Sequence, residues 1–404
     1  MKTEWEEVRI DEIGKVVTGN TPSKKNSSFF GGKYPWIKPT DIRISHRHVS
    51  KTEETYSESA FRKYKKCLLP PLSTCVVTIG TVGEKICLTK EPSFTNQSIN
   101  AVIPKEGKYD PMFVYYLLKH NLPKVAKRNP GTASGRHHVS KSNFSSMVVS
   151  LPPYPMQERI SAILSPFDDL IEANERKIEI LEKISRLIYL EWFVHFRYPR
   201  HENEEPIKGS HQLTPNGWEM KKLGELADEV RVNISPENTD PETPYVGLAH
   251  LPRKSIALSE WGIISETKST KLVFERNDVL FAKIRPYLHK VAVAPLGGAC
   301  SSDTIIIRPK KKRDYSLVLM CVSSEPFVAF ADRTSKGTQM PRTDWEILRN
   351  YDVPYPPSKL LDRFNSFIKE NVRLTQNLVF RNKVLIGIRD LLLPKLISDE
   401  LDVS

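Results

Sequence analysis

The chain has 404 residues, 39% of them hydrophobic, and a formal net charge of +12. This length exceeds one ordinary core and predicts at least two domains, while the hydrophobic fraction excludes a chain that is disordered throughout. No apolar run reaches about 18 residues, so no membrane span is expected. The five cysteines are never spaced C-x-x-C, which argues against a zinc site or a disulfide framework and favours a reducing, cytoplasmic location.

Charge is spread unevenly along the chain. Residues 1–150 hold 24 basic and 13 acidic residues, a net charge of +11, whereas residues 217–350 hold 20 and 17, a net charge of +3. A basic domain is typical of proteins that bind nucleic acid. It is equally typical of an ordinary basic surface, so charge alone leaves both interpretations open.

The first part of the chain consists of short β-branched runs that Gly, Pro, Asn and Ser interrupt. The runs from Thr74 to Ile79 and from Ile99 to Ile103 predict strands. A short helix is predicted from Pro111 to Leu118. Together these elements indicate a mixed α+β domain over residues 1–153.

A long helix is predicted over residues 154–198, because apolar residues recur there in alternating steps of four and three. Such a stripe is typical of a coiled coil, and a helix of about 40 residues is roughly 60 Å long. The apolar members of this stripe are Ile160, Leu164, Phe167, Ile171, Ile178, Leu181 and Ile188.

After a polar linker at residues 199–216, the same order of elements is predicted again. Strands are expected from Val291 to Ala294 and from Thr304 to Ile307, and a short helix from Ser316 to Ser323, within a domain over residues 217–354. A second long helix is predicted over residues 355–397, followed by a tail at 398–404. The apolar members of its stripe are Leu360, Phe364, Phe367, Leu374, Leu378, Leu385, Ile388 and Leu392.

The two halves of the chain match at six places in the same order, which indicates an internal duplication. The matches are Trp5-Glu6 with Trp218-Glu219, Ile10 and Ile13 with Leu223 and Leu226, Pro35–Ile37 with Pro244–Val246, Cys75–Val77 with Val279–Phe281, Asn100–Pro104 with Ile305–Pro309, and Pro153–Pro155 with Pro354–Pro356. We therefore predict an α+β fold with two mixed α/β domains in tandem, each followed by a long helix.

The two long helices are expected to pair as an antiparallel coiled coil, because a lone helix would leave its apolar stripe in water. Asn174 and Asn371 lie on the two stripes. A polar residue there either fixes the register of the pair or merely faces the edge of the stripe. The sequence leaves both interpretations open.

The sequence contains no convincing catalytic or metal motif. The nearest glycine-rich strings have the wrong spacing for a phosphate-binding loop. Leu151–Tyr154 lacks the Asn of the Asn-Pro-Pro-Tyr motif of amino-methyltransferases. Asp168 and Asp169 are interpreted as part of a solvated helix face rather than as metal ligands. His46, His48, His137 and His138 lack a second ligand pair, so they indicate DNA contact or plain surface.

Several predicted loops carry the groups that DNA recognition needs, namely basic groups for phosphates and forked or amide groups for base edges. Arg136, Arg285 and Gln339 rank first, because each lies in a loop marked by Gly or Pro. The full set of candidates is Lys24, Lys25, Lys38, Thr40, Arg43, His46, Arg47, Thr81, Lys85, Arg136, His137, His138, Arg253, Lys254, Lys283, Arg285, Tyr287, Lys336, Thr338, Gln339 and Arg342.

Over nearly its whole length the chain resembles a specificity subunit of a Type I restriction-modification enzyme. The residues that carry the resemblance are Thr18–Ser23, Trp36, Ile37, Asp41, Gly80–Gly83, Asn96, Gln97, Leu151–Pro153, Gln157–Ile160, Leu187–Phe196 and Arg389–Ser398. They are similar to segments of the family's target-recognition domains and to the ends of its spacer helices. The chain departs from the family pattern at Asp399, where Gly is usual, and at Lys359–Phe364, which replaces the Gln-Glu-Arg-Ile exit.

The resemblance implies a non-catalytic chain that reads a bipartite, asymmetric sequence in double-stranded DNA. It implies two modification subunits that use S-adenosylmethionine, and restriction subunits that use ATP and Mg²⁺, with no cofactor in this chain itself. Trp192 and Phe193, near the end of the first long helix, would suit a docking surface or equally a core.

Two other classes of function stay open at this stage. The paired helices could belong to an adaptor whose basic domains bind DNA without sequence preference, in which case affinity would depend steeply on salt. The chain could also be a nuclease or methyltransferase whose site lacks the usual motifs. The missing motifs argue against this last interpretation.

Overall fold

The computed structural model describes residues 5–49, 51–128, 137–199 and 215–401. The predicted linker centre at 201–210 and the DNA-contact candidate Arg136 lie outside these ranges. Contacts divide the chain into two compact units. Unit 1 comprises Met1–Glu172 and Lys383–Ser404, and unit 2 comprises Ala173–Asn382. Each long helix therefore contributes to both units.

Unit 1 contains nine of the strands. They are β1 Glu6–Arg9, β2 Gly14–Thr18, β3 Phe30–Ile37, β4 Thr55–Tyr56, β5 Thr74–Val77, β6 Ile86–Leu88, β7 Phe94–Thr95, β8 Ile99–Pro104 and β9 Val148–Leu151. The helices that begin in unit 1 are α1 Ile10–Ile13, α2 Glu58–Tyr64, α3 Pro111–His120, α4 Leu122–Lys127, α5 Lys141–Ser145 and α6 Tyr154–Tyr189. A π-helical turn at Leu190–Val194 continues α6.

The main sheet of unit 1 has the strand order β2-β8-β5-β6 and is antiparallel throughout. Every residue of β5 is buried, because the sheet is covered on both faces. The helix α3 packs on this sheet through Phe113 and Leu117. It begins at Pro111 because the Asp110 side chain accepts a hydrogen bond from Phe113 N at 2.7 Å and because proline suits the first helical position.

Unit 2 repeats this arrangement. Its strands are β10 Glu219–Lys222, β11 Ala227–Val230, β12 Asn233–Ile234, β13 Pro244–Val246, β14 Gly262–Ile263, β15 Lys271–Phe274, β16 Val279–Ala282, β17 Val291–Val293, β18 Gly298–Cys300, β19 Thr304–Pro309 and β20 Asp352–Tyr355. The remaining helices are α7 Leu223–Leu226, α8 Tyr315–Val322, α9 Glu325–Arg333, α10 Trp345–Leu348 and α11 Ser358–Ile397.

The strand order of the two units confirms the predicted duplication and the α+β fold. The sheet β11-β19-β16-β17 of unit 2 corresponds to β2-β8-β5-β6 of unit 1. The pair β10–β20 corresponds to β1–β9, and the parallel pair β13–β18 corresponds to β3–β7. The predicted short helices match α3 and α8, and the four predicted strands match β5, β8, β17 and β19.

Two of the six sequence matches are misaligned, one by a single residue and one by three. Cys75 pairs with Ala101 and Leu280 with the matching Ile306, so Cys75 is equivalent to Leu280 and not to Val279. The error of three residues concerns the Pro-Tyr-Pro match. Glu6 pairs with Leu151, and its counterpart Glu219 pairs with Tyr355. Leu151 and Tyr355 are therefore equivalent, which excludes the match of Pro153 with Pro354. The Pro-Tyr-Pro sequence occurs in both copies but at different places in the fold. Tyr355 ends the strand β20, whereas Tyr154 begins α6.

The two long helices run antiparallel within each unit. In unit 2, Asn174 Nδ2 donates to Asn382 Oδ1 at 2.8 Å, and Asn371 Nδ2 donates to Ser185 Oγ at 3.0 Å. In unit 1, Asp168 of α6 forms an ion pair with Arg389 of α11. Both stripe asparagines thus bond across the helix pair, and Asn174 is fully buried, which favours the interpretation that they fix the register.

The stripe predicted for α6 is buried or half-buried at every position. In α11 the buried row is shifted by one residue from the prediction. Phe367, Leu374 and Ile388 are 45%, 37% and 41% exposed, and the predicted Leu360, Leu378, Leu385 and Leu392 are only half-buried. The buried row is Leu361, Phe364, Ile368, Val372, Thr375, Gln376, Val379, Asn382, Arg389, Leu393 and Leu396.

The shifted register has a physical cause. Four members of the buried row are polar, and three of them have specific partners: Gln376 Nε2 donates to Asn277 Oδ1 at 3.0 Å, Asn382 accepts from Asn174, and Arg389 pairs with Asp168. A count of apolar residues therefore favours the neighbouring row.

Trp192 and Phe193 belong to the core of unit 2, which decides between the two interpretations left open for them. Phe193 is 1% exposed, and its ring centroid lies 4.6 Å from that of Phe364 and 5.5 Å from that of Trp218. Neither side chain is available as a docking surface. Across the described ranges, no helix is both long enough and apolar enough to cross a membrane.

Candidate nucleic-acid interface

Three loops of each unit meet at one surface. In unit 2 the first loop follows β13 (residues 247–261), the second joins β16 to β17 (283–290), and the third precedes α10 (334–344). In unit 1 the first loop follows β3 (38–54), the second joins β5 to β6 (78–85), and the described part of the third, 137–140, precedes α5. These names are used below.

Backbone hydrogen bonds tie the three loops of unit 2 together. Lys254 N of the first loop donates to His289 O of the second at 2.8 Å. Arg285 N of the second loop donates to Pro341 O of the third at 2.8 Å, and Thr343 N donates to Lys283 O at 3.1 Å. The loops therefore form one continuous surface rather than three independent projections.

Unit 1 has the same pattern. Lys85 Nζ of the second loop donates to Pro39 O of the first at 2.8 Å. Gly80 N donates to His137 O at 3.0 Å, and Val139 N donates to Thr78 O at 2.8 Å, so the second loop also pairs with the third. Thr81, a predicted contact in this second loop, is half-buried.

The second loops depend on residues with a left-handed backbone. Gly83 has φ +77°, and a Cβ there would lie 2.7 Å from Leu122 O, so only glycine fits. In unit 2, Arg285 and His289 both have φ +51°. Such conformations are costly for residues with a side chain and concentrate at functional sites. They flank a short turn, Pro286–Leu288, and project its residues.

Most of the predicted contacts in unit 2 lie exposed on this surface. The exposed candidates are Arg253, Lys254, Arg285, Tyr287, Lys336, Thr338, Gln339 and Arg342. The ion pairs of Lys254 with Glu325 at 3.2 Å and of Arg342 with Asp303 at 3.6 Å are solvated, so a phosphate can compete for the two cations. Lys283 is the exception, since its side chain is 15% exposed and lies 3.7 Å from Glu229.

Met340 is a surface residue that sequence reasoning missed. It is 50% exposed and lines an open depression of about 250 Å³ together with Leu248, Ile284, Leu288 and Arg285. An apolar patch beside a guanidinium suits a base edge, because the thymine methyl group is an apolar feature of the major groove. DNA recognition was predicted from polar and basic side chains alone, which left Met340 out. The position of Met340 next to Gln339, in a loop marked by Gly337, was a usable signal.

In unit 1 the predicted contacts differ in how exposed their side chains are. Lys24, Lys25, Thr40, Arg43 and His137 are exposed, and His46, Lys85 and His138 are half-buried. Lys24 and Lys25 lie outside the three loops, in the segment after β2. Lys38 is 17% exposed because its Nζ lies 2.8 Å from carboxylate oxygens of both Glu53 and Glu54.

The prediction that Arg47 contacts DNA is wrong, because its side chain is buried in an ion-pair network. Its side chain is 5% exposed and pairs with Asp169 at 2.5 Å and with Glu172 at 3.3 Å. Burial acts to lower the pKa of Arg47, but the hydrogen bond to Asp169 and the charge of Glu172 more than offset it and raise the pKa. The His48 side chain also points toward α6, where its Nδ1 lies 2.7 Å from Glu172 Oε1.

The interpretation of Asp168 as a solvated residue is also wrong. Asp168 is 1% exposed, accepts a hydrogen bond from Tyr116 Oη at 2.5 Å and pairs with Arg389, which is itself fully buried. Asp169 remains 65% exposed. No cluster of three metal-ligating side chains occurs among the residues that the structure describes.

Comparisons with known proteins agree with these features. Residues 2–183 match the family described as "Type I restriction modification DNA specificity domain". The Type I restriction enzyme MjaIX specificity subunit of Methanocaldococcus jannaschii is 26% identical over 99% of this chain and 94% of that protein. Over nearly its whole length the chain is therefore similar to a Type I restriction enzyme specificity subunit. The resemblance seen in the sequence motifs is thereby confirmed.

Two further comparisons agree with this similarity. The HindI specificity subunit of Haemophilus influenzae is 31% identical over 183 residues, which cover 44% of this chain and 39% of that protein. The crystal structure of the S subunit of a Type I restriction-modification system from M. genitalium has a TM-score of 0.58 at 16% identity. The match covers 100% of this chain and 98% of the other chain, so the two share a fold.

Proposed function

We propose that this chain is a Type I specificity subunit that recognises one bipartite, asymmetric DNA sequence, with the loops of unit 1 contacting one half-site and those of unit 2 the other. The observation that carries the proposal is the duplicated three-loop surface. Because the two copies present different side chains, for example Arg43 and Thr40 against Arg253 and Lys254, the two half-sites differ in sequence.

Base recognition in unit 2 is assigned to the groups with the right geometry. Arg285 presents a fork of donors that suits guanine O6 and N7, and Gln339 presents an amide that suits adenine N6 and N7. The lysines and Arg253 suit phosphates, which fix position and contribute most of the salt-dependent affinity.

The chemistry is assigned to partner subunits. Two modification subunits would methylate adenine with S-adenosylmethionine, and restriction subunits would cleave DNA with ATP and Mg²⁺, all in the cytoplasm. This chain would bind none of these cofactors and would act by placing its partners on the target. Support comes from the similarity to Type I specificity subunits and from the loop surface, which carries basic and polar side chains suited to DNA contact.

A row of exposed apolar residues on α6 and the turn that continues it is assigned to the modification subunit. Its members are Ile180, Ile184, Leu187, Leu190 and Val194, which are 37–56% exposed. Their spacing of three or four residues places them on one face of the helix. An apolar row of this length costs free energy in water unless a partner covers it, and an assembly with modification subunits supplies that partner.

The test is to coexpress the chain with its modification subunit and to map adenine methylation by single-molecule sequencing. Methylation at one split, asymmetric motif, lost when this chain is deleted, is the expected result. Methylation that does not depend on this chain would overturn the proposal. Binding without sequence preference and with a steep salt dependence would instead favour the adaptor.

A further inference from the structure

The first loop of unit 2 is fastened to α6 by a buried carboxylate. Glu182 is 8% exposed, and its Oε1 accepts hydrogen bonds from Ser255 Oγ at 2.7 Å, Ile256 N at 2.7 Å and Ala257 N at 3.0 Å. Arg186, one turn further along α6, donates to Lys254 O. Hydrogen bonds to a charged acceptor are the strong ones, so these four loop residues have little freedom to move.

The first loop of unit 1 is fastened to the same helix. Glu172 Oε1 lies 2.7 Å from His48 Nδ1 and 3.3 Å from Arg47 Nε, and Asp169 also holds Arg47. The buried Arg389 of α11 adds a bond to Ser45 O at 3.1 Å. Both long helices therefore hold the segment from Ser45 to His48.

The two fastened segments are equivalent in the duplicated fold. His48 forms a parallel bridge with Leu88 at the end of β6, and Ala257 forms a parallel bridge with Val293 at the end of β17. The groups that bond to α6 nevertheless differ in kind. Side chains do so in unit 1, whereas two backbone amides, a backbone carbonyl and a hydroxyl do so in unit 2. The same attachment is thus built from two different sets of atoms.

Each fastened segment immediately follows exposed side chains that face the proposed half-sites. In unit 1 these are Arg43 and Ile44, the latter 60% exposed. In unit 2 they are Arg253 and Lys254, and Lys254 N also bonds the second loop at His289 O. A contact group has to be held within about 0.5 Å of its productive position by the residues behind it.

We propose that Glu172 and Glu182 are positioning residues for base recognition, each acting on the half-site of its own unit without touching DNA. The inference rests on the proposed function, since it needs two half-sites. It assigns part of the sequence specificity to the spacer helix α6, outside the loops that contact DNA.

The test uses the complex with the modification subunit and measures methylation of the split motif and of every single-base variant of it. With Glu182→Ala, discrimination at the half-site of unit 2 is expected to fall about tenfold at one or more positions, because a mispositioned contact loses part of the ~1–3 kcal/mol that a base mismatch costs. Discrimination at the other half-site is expected to stay unchanged. Glu172→Ala is expected to give the reverse pattern.

Three further variants separate positioning from general damage. Glu182→Gln keeps an acceptor oxygen and is expected to restore most of the discrimination. Arg186→Ala removes the donor to Lys254 O and the ion pair with Glu182 at 3.6 Å but keeps the carboxylate, and it is expected to give a weaker form of the same defect. It replaces Glu182→Ala as the test if that variant does not fold. Glu179→Ala removes one negative charge from the exposed side of the same helix and is expected to leave both half-sites intact.

The outcomes are distinct. If the wild-type complex methylates no split motif, the proposed function fails. If it methylates a split motif and folded Glu182→Ala and Arg186→Ala proteins keep full discrimination at both half-sites, the proposed function stands and the positioning role is overturned. Equal loss at both half-sites would also overturn it, because that pattern reports general destabilisation.

Discussion

At the scale of single residues, two of the side chains assigned to DNA contact extend from a backbone that is already fixed. Arg285 has a left-handed backbone, its amide bonds the third loop, and its guanidinium stays exposed. A fixed backbone lowers the entropic cost of ordering the side chain on DNA. Lys254 shares these properties, with φ +56° and an amide bonded to His289 O.

Replacing Arg285 with alanine is expected to weaken binding to the cognate sequence by about 1–3 kcal/mol, or roughly 5- to 150-fold, and to relax preference at one base pair. Arg285→Lys keeps the charge but loses the fork, so it should recover affinity more than preference. Fluorescence titration of cognate and single-mismatch duplexes gives both quantities. Arg373→Ala, which removes an exposed arginine from α11, is the matched control; an equal loss there would refute the assignment.

His289 makes the stability of unit 2 depend on pH. Burial lowers its pKa below the ordinary value, and the bond from its ring to Ser323 O at 2.9 Å offsets only part of this effect. Because the unfolded chain then binds a proton more readily than the folded one, stability is complete above about pH 6.5 and declines as pH falls below it. The slope from this residue is at most about 1.4 kcal/mol per pH unit.

The measurement is chemical unfolding followed between pH 8 and pH 5.5, in wild type and in His289→Asn. The variant is expected to lose less stability than wild type over this range. If the free energy of unfolding depends on pH in the same way in both proteins, His289 does not contribute. Glu325, whose carboxylate lies 3.6 Å from the ring and is 70% exposed, would then be the next residue to replace.

At the scale of elements, the helix pair is held in register by polar contacts as much as by apolar ones. Asn174 and Asn382 are both buried and bond each other, and Asn371 bonds Ser185. An apolar row alone would tolerate a slip of one heptad, because every heptad offers similar partners. Buried amides tolerate no such slip, because each loses its partner.

The Asn174–Asn382 pair can be tested by a double-mutant cycle. Asn174→Leu alone is expected to lower the free energy of unfolding by about 1–3 kcal/mol, because it removes the donor to the buried Asn382 Oδ1. The double change to leucine at both positions is expected to cost less than the sum of the single changes. Thermal unfolding of the four proteins measures the coupling, and additive losses would show that the two amides act independently.

The predictable part of this fold is what local periodicity and local composition determine. The β-branched runs became β5, β8, β17 and β19, and the change of period located α6 and α11. The register of α11 was missed, because its buried row contains Thr375, Gln376, Asn382 and Arg389, whose burial depends on partners far away in the chain. The spacing of apolar residues along a helix does not show which polar residues will find a buried partner.

The same limit explains which contact candidates failed. Arg47, Lys38 and Lys283 are as basic as the exposed candidates, but each has a carboxylate partner brought to it by the fold. Conversely, Glu172 and Glu182 looked like ordinary residues of a charged helix. Their roles follow from loop segments more than 70 residues away, and only the three-dimensional structure reveals them.

At the scale of the whole molecule, the ends of the chain are tied together within unit 1. Leu393, Leu396 and Ile397 of α11 are buried in the same core as Ile10 and Phe113. Unit 1 is therefore complete only after the last helix has been made.

The exposed apolar row of α6 leads to a prediction about assembly. The double variant Ile184→Glu, Leu187→Glu is expected to fold with an unchanged unfolding midpoint and to lose at least about tenfold in affinity for the modification subunit, because two charges would be buried without partners. Copurification and analytical ultracentrifugation report the loss. Val232→Glu, which also places a charge at an exposed apolar site of unit 2, is the control, and undiminished assembly of the double variant would exclude this face.

The attachment of the second unit's loop to Glu182 has an evolutionary consequence. Recombination that exchanged residues 217–354 between two such genes would import new loops while leaving behind the carboxylate and the arginine that hold them. Hybrid proteins are therefore expected to discriminate best between target and mismatched sequences when the breakpoint falls before codon 182, or when both parents carry a hydrogen-bond acceptor at that position. New target sequences in this lineage would then arise by inheritance of helix and loops together, and less often by transfer of the loops alone.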